Sequence, residues 1–138
     1  MNADRIFVDT NILIYAFTSD EPDKQNKTLE FINNCQPVIS TQVLKEFSNV
    51  LLKKGNVSHE TLKETIGDII EISNVVNEDL ALILHSIDIH ERYKLSFYDS
   101  LIIAAAVHSQ CQVLLSEDMQ DGQIIEGRLK IVSPFGSE

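Results

Sequence analysis

Short apolar runs of strand length alternate along the chain with longer stretches of helical periodicity. That alternation predicts an α/β domain, three layers deep (α/β/α), around a mainly parallel sheet. Three observations carry the expectation. Arg5-Ile6-Phe7-Val8, Pro37-Val38-Ile39-Ser40 and Val113-Leu114-Leu115 read as buried strands. Helix-like patterns with recognisable starts and stops lie between them. The 138 residues, 43% of them hydrophobic, suit one globular domain with a real core. We place that domain at residues 1–134, with 135–138 as a loose C-terminal tail.

Taken in order, the first strand stops on Asp9 and a helix pattern follows through Ile12, Leu13, Tyr15, Ala16 and Phe17. Ser19-Asp20-Glu21-Pro22-Asp23 is a turn signal, and Pro22 suits the first position of the next helix, which carries Leu29, Phe31 and Ile32 and ends near Asn33-Asn34. After the second strand, Thr41 opens an amphipathic helix with Val43, Leu44, Phe47, Val50 and Leu51 at helical spacing. Lys53-Lys54-Gly55 closes it, cations in the last turn and glycine just beyond. Ser58 caps a helix with Leu62, Ile66, Ile69 and Ile70 on one side, and Val75-Val76 is a short strand. Leu80, Ile83, Leu84 and Ile87 follow the i, i+3, i+4, i+7 rule and mark a helix from about Glu78 to Glu91. Ser96 begins a helix that runs through Ala104-Ala105-Ala106 to about His108. Val113-Leu115 stops at Ser116-Glu117-Asp118, and Leu129-Lys130-Ile131-Val132 is the last strand, ended by Ser133-Pro134.

Composition narrows the function. Eleven basic residues against twenty-one acidic ones give a formal net charge of -10, which argues against strong nonspecific binding to nucleic acid through Lys and Arg contacts. It leaves room for a nucleic-acid enzyme whose phosphates are met by bound cations. Cys35 and Cys111 lie far apart with no C-x-x-C pairing, so both read as reduced packing residues. His85 and His90 lack the i, i+4 spacing of a helical metal site, and the four histidines read as ordinary surface residues. The longest apolar run, Leu101 to Val107, is too short to span a membrane, and Asp9 interrupts any signal-like segment at the N-terminus. A cytoplasmic protein is expected.

The chemistry lies in the acids. In a parallel sheet the carboxyl ends of the strands share one edge, where ligands bind. Asp9 and Asp118 each end or follow a strand there. Glu46, about one turn into its helix, and Asp99, in the first turn opened by Ser96, belong to helices that start at that edge. Asp121 is a fifth candidate. Each has a plainer reading: Asp9-Thr10-Asn11 are all good helix caps, Ser96-Phe97-Tyr98-Asp99 fits a capping box, Glu46 suits a solvated face, and Ser116 to Gly122 reads as an acidic loop. Two carboxylates about 5 Å apart repel by roughly 3 kcal/mol at an effective dielectric near 20. A hard divalent cation, Mg²⁺ or Mn²⁺, removes that penalty and can support phosphodiester hydrolysis. In this arrangement Thr10 or Asn11 serves as the cap, leaving Asp9 to the site.

Four stretches, Phe7-Val8-Asp9-Thr10-Asn11-Ile12-Leu13, Ser40-Thr41-Gln42-Val43-Leu44-Lys45-Glu46, Ser96-Phe97-Tyr98-Asp99-Ser100-Leu101-Ile102 and Leu114-Leu115-Ser116-Glu117-Asp118, resemble in order the motifs of PIN domains. The size and layout resemble single-domain VapC-type toxin ribonucleases and their stand-alone bacterial relatives. The resemblance implies a metal-dependent ribonuclease in which Asp9, Glu46, Asp99 and Asp118 hold Mg²⁺ or Mn²⁺. Asp121 would act through water, and Asn11 and Ser116 would orient the acids. It also implies an RNA substrate, a homodimer and, for toxin members, a cognate antitoxin. Arg92, Lys94, Lys45, Lys53 and Lys54 are then candidates for phosphate contact, and Tyr98 and Tyr93 for stacking. Two other readings compete: a non-catalytic RNA- or protein-binding module of the same fold, and an aspartyl phosphoryl-transfer enzyme using Asp9 as nucleophile.

Overall fold

The computed structural model describes residues 4–136. It is a three-layer α/β/α domain, with helices on a six-stranded sheet. The elements are β1 (Arg5–Val8), α1 (Thr10–Phe17), α2 (Pro22–Asn33), β2 (Gln36–Ser40), α3 (Thr41–Lys54), α4 (His59–Ile72), β3 (Asn74–Val76), α5 (Leu80–Tyr93), α6 (Phe97–His108), β4 (Val113–Leu115), β5 (Ile124–Ile125) and β6 (Leu129–Val132). The strand order is β3-β2-β1-β4-β6-β5. All neighbours are parallel except β5 and β6, which form an antiparallel pair at one edge. The two-residue strand Ile124–Ile125 is unannounced in the sequence because so short a segment shows no periodicity.

The topology sets the position of the site. From β1 the chain moves outward through β2 to β3, then returns to place β4 on the other side of β1. The sheet order therefore reverses between β1 and β4, and such a reversal opens a crevice at the carboxyl ends of the strands. Register across this junction pairs Val8 with Leu115, and the Asp9 N–H continues the ladder by donating to Leu115 O at 3.0 Å. The residues that follow, Asp9 on one side and Ser116 on the other, leave the sheet together.

Helix ends follow local chemistry. Ser40, Ser58, Asp79 and Ser96 each cap a helix through a side-chain oxygen. Gly55 closes α3 in the left-handed conformation, φ +74°, where a side chain would be strained. α6 is buried all round, from Ser100 to Val107, and packs against α5, α3, β2 and β4. A helix apolar on every face belongs inside a fold.

α5 is the helix expected, and its buried face is a different one from the stripe that announces it. The stripe that marks it as a helix points outward: Leu80 is 80% exposed and Leu84 66%, with Ile83 and Ile87 also exposed. Leu82, Ser86 and Ile89 form the buried face instead. Both stripes have helical spacing, and the inner one is masked in the sequence by a serine whose hydroxyl is satisfied by Ile83 O at 2.6 Å. Of the tail expected at 135–138, Ser137 and Glu138 lie outside the described residues. Phe135 sets its ring edge against Tyr15, 5.5 Å between centroids.

Candidate active site

Asp9, Thr10, Asn11, Glu46, Asp99 and Asp118 line one cavity of about 180 Å³ at the β1–β4 junction, together with Val50, Tyr98 and Ile102. The acids arrive from four segments: the end of β1, α3, the first turn of α6, and the loop after β4. Among the described residues no lysine or arginine lines the cavity.

Each acid but Asp99 is held by a neighbour that follows a strand or opens a helix. Asp9 is buried, and both its oxygens are engaged. Oδ1 accepts the Thr10 N–H at 2.8 Å and Oδ2 accepts the Ser116 hydroxyl at 2.9 Å. Ser116 Oγ in turn accepts the Met119 N–H at 3.2 Å. Glu46 accepts the Thr10 hydroxyl at 2.7 Å, and Asp118 accepts the Asn11 side-chain amide. Three consecutive residues, Asp9, Thr10 and Asn11, thus reach three of the acidic segments. Asp99 donates its backbone N–H to Ser96 Oγ at 3.1 Å, the capping contact expected of the start of α6.

Asp9 itself is the N-cap of α1. The expectation that Thr10 or Asn11 would take that task and release Asp9 is corrected here. Thr10 is already the first helical residue, so its N–H is one of the orphan donors, and only the preceding side chain can reach it. Its hydroxyl turns to Glu46, a contact the sequence reading missed; the only sign of it is a hydroxyl next to a strand-ending acid.

Electrostatics reflect the crowding. Burial pushes the Asp9 carboxyl up from 3.8 to about 6, against the Thr10 and Ser116 hydrogen bonds that lower it, and the charges of Asp99 and Glu46 push it further up. Asp99 is also raised, first by burial, then by Asp118 and Glu46, with the Ser96 hydroxyl opposing. The donor set is carboxylate oxygen without a compensating cation, which fits a hard divalent ion such as Mg²⁺ or Mn²⁺. Among the described residues no three such side chains stand close enough to share one ion as placed.

Other candidates fall elsewhere. Asp121 is not in the cavity lining; its carboxylate accepts the Ser133 N–H at 2.8 Å and ties the loop to the end of β6. Glu117, between Ser116 and Asp118, turns away to Lys24 and the Tyr15 hydroxyl. This pairing holds Glu117 low, despite some burial, and Lys24 high. Lys54 pairs with Asp20 at 2.8 Å. Arg92 lies over the Tyr93 ring, and Tyr93 accepts the Glu126 N–H through its hydroxyl. Lys45 and Tyr98 border the acids: with Gln42, Glu46 and Asn49 they line a second groove that shares Glu46 and Tyr98 with the first.

No helix among the described residues is long and apolar enough to cross a membrane. Comparison with curated proteins finds no significant match. The fold is similar to a toxin–antitoxin complex from Klebsiella pneumoniae (TM-score 0.71, 21% identity, 94% of this chain and 97% of that one). It is also similar to VapC20 of Mycobacterium tuberculosis, described as a toxin that cleaves the sarcin-ricin loop (TM-score 0.67, 17% identity, 82% and 89%). VapBC2 of Rickettsia felis, bound to a promoter DNA fragment, is a third (TM-score 0.66, 17% identity, 92% and 98%). At these identities the likeness speaks for the fold. The PIN domain profile matches residues 6–120, which span the acids from Asp9 to Asp118, and the chain belongs to the PIN domain family.

Proposed function

We propose that the protein is a divalent-metal-dependent endoribonuclease, the toxin of a toxin–antitoxin pair. One observation carries the reading: four carboxylates from four segments line one cavity at the sheet's reversal point, and no basic side chain lines it with them. Such a cluster is costly to the fold unless a cation is bound. In this reading Asp9, Glu46, Asp99 and Asp118 hold Mg²⁺ or Mn²⁺. Asp121 is left out, because it does not line the cavity with the other four. When bound, the metal supplies positive charge to a phosphodiester and lowers the pKa of an attacking water.

The chain's own residues do the positioning. Ser116 and the Thr10 N–H fix Asp9, the Thr10 hydroxyl fixes Glu46, and Asn11 fixes Asp118. Orienting groups of this kind tune ligands they do not replace. Asp99, the acid with the fewest contacts in the cavity, is the one best able to accept a proton from the attacking water. A homodimer and an antitoxin belong to the same proposal. The exposed stripe Leu80, Ile83, Leu84 and Ile87 is the surface best suited to the second copy.

The test is RNA cleavage in Mn²⁺ by the purified protein, with thermal shift as a second readout. Asp9→Asn and Asp99→Asn are expected to lose both cleavage and stabilisation by Mn²⁺. Cleavage by both variants at the wild-type rate would refute the assignment.

A further inference from the structure

The groove beside the acid cavity has a composition of its own. Gln42, Lys45, Glu46 and Asn49 lie at i, i+3, i+4 and i+7, one stripe of α3, and Tyr98 from α6 forms the opposite wall. Its volume is about 410 Å³, in the range of small-ligand sites. Tyr98 is 60% exposed although it borders a partly buried site, and Phe97 meets it edge-on at 5.7 Å, supporting the ring. Lys45 belongs to none of the ion pairs among the described residues, whereas Lys24 and Lys54 are tied to Glu117 and Asp20.

We propose that this groove is a nucleotide subsite that takes one unpaired base of a single-stranded RNA, stacked on Tyr98, next to the phosphodiester held at the acids. The inference rests on the nuclease reading for the position of the scissile phosphate. Continuity supports it: Glu46 and Tyr98 line both cavities, so a chain threaded through the first places its neighbouring nucleotide over the second. The lining supports it as well. An aromatic face takes any base, amides such as Gln42 and Asn49 pair with base edges, and one lysine meets one phosphate. A protein segment would need aliphatic side chains to pack against, and none is among the residues that line this groove.

Charge points the same way. At a net charge of -10 the protein has little to attract a phosphate backbone. Beyond the cation held at the acids and Lys45, affinity must then come from stacking, which a base already stacked and paired within a duplex cannot supply. Recognition is therefore of unpaired nucleotides, and weakly salt-dependent.

The test uses a fluorescent RNA decamer with hydrolysis-resistant phosphorothioate linkages, bound by the full chain in Mn²⁺ and followed by anisotropy. Tyr98→Ala is expected to weaken binding by about 5- to 150-fold, and Tyr98→Phe to bind as the wild type does. Moving a single abasic residue along the decamer should reveal one position that costs the wild type the same factor and costs Tyr98→Ala nothing further. Lys45→Ala should reduce the salt slope by about 0.7, the contribution of one single-strand phosphate. Wild-type affinity in Tyr98→Ala, no coupled abasic position, or equally tight binding of a duplex would each overturn the subsite. A change in sedimentation without a change in RNA affinity would assign the groove to a second copy, and overturn it too. Cleavage of unmodified RNA with a KM independent of Tyr98 would leave the nuclease standing without the subsite. Tyr98-dependent binding without cleavage would leave the subsite standing without the nuclease. No binding at all in Mn²⁺ would remove both.

Discussion

Replacing Asp9 with asparagine separates the cost of the acidic cluster from its use. The carboxyl is buried and its pKa rises from 3.8 to about 6 in the folded protein. At about 1.36 kcal/mol per unit, that is roughly 3 kcal/mol of differential interaction. The sign follows from proton counting. Between about pH 4 and 6 the folded state keeps a proton that the unfolded chain has given up. Asp9 therefore destabilises the metal-free fold increasingly as pH rises through that window, and the full cost is present above pH 6.

Asparagine removes the charge and keeps the shape. Its carbonyl still accepts the Thr10 N–H, and its amide donates to Ser116 Oγ in place of the present contact. It gives up the favourable interaction of a carboxylate with a helix N-terminus, about 0.5–1 kcal/mol. The net expectation at pH 8 without metal is a gain of about 1–3 kcal/mol, or roughly 3–10 °C in Tm for a chain of this length. The gain should vanish below pH 4. Mn²⁺ should reverse the order of the two proteins: at a thousandfold excess over its Kd it stabilises the wild type by about 4.1 kcal/mol, and Asp9→Asn hardly at all. Urea unfolding at pH 4, 6 and 8, with and without Mn²⁺, measures every term. Taking the difference between the two proteins cancels the carboxylates that do not interact with Asp9, leaving Asp9 with its neighbours Asp99 and Glu46. A metal-free Asp9→Asn that is less stable than wild type at pH 8 would refute the reasoning, since burial would then not be the dominant influence on this group.

Four further outcomes are expected. Ser116→Ala strips Asp9 of one hydrogen bond and leaves the Met119 N–H unpaired, so it should cost about 1–3 kcal/mol in urea unfolding and move Mn²⁺ stabilisation to higher pH. Thr28 is fully buried and its hydroxyl has no partner among the described residues, so Thr28→Val should raise stability by about 1 kcal/mol. Gly55→Ala places a side chain at φ +74° and should lower stability by about 1 kcal/mol, with activity unchanged. If the outward stripe of α5 seats the second copy proposed above, Leu84→Lys, at a position 66% exposed, should shift sedimentation from dimer to monomer and lower Tm most at high protein concentration, where the dimer's linkage is lost.

The reach of the sequence differs between fold and site for physical reasons. Strands and helices came through where one period dominated, as in Phe7-Val8 and the stripe Val43, Phe47 and Leu51, all buried. α5 shows the limit: its outward leucines and isoleucines have the same periodicity as a core face, and only packing distinguishes them. At the site, the four acids were legible because strand ends and helix starts in a parallel sheet share an edge. Their supports were less so. The contact from Thr10 to Glu46 spans thirty-six positions, and that from Lys24 to Glu117 ninety-three, with no local pattern to announce either. Asp9 is the most instructive residue. Capping and site chemistry read as alternatives in the sequence, because each was argued as the use of one side chain. The structure gives the two carboxylate oxygens separate work: Oδ1 closes the start of α1, and Oδ2 joins β1 to the loop after β4 through Ser116. The cap is therefore part of how the acid is aimed. A helix that starts directly on a strand-ending carboxylate holds that carboxylate at the mouth of the sheet, where its charge is both costly to the fold and available to a cation.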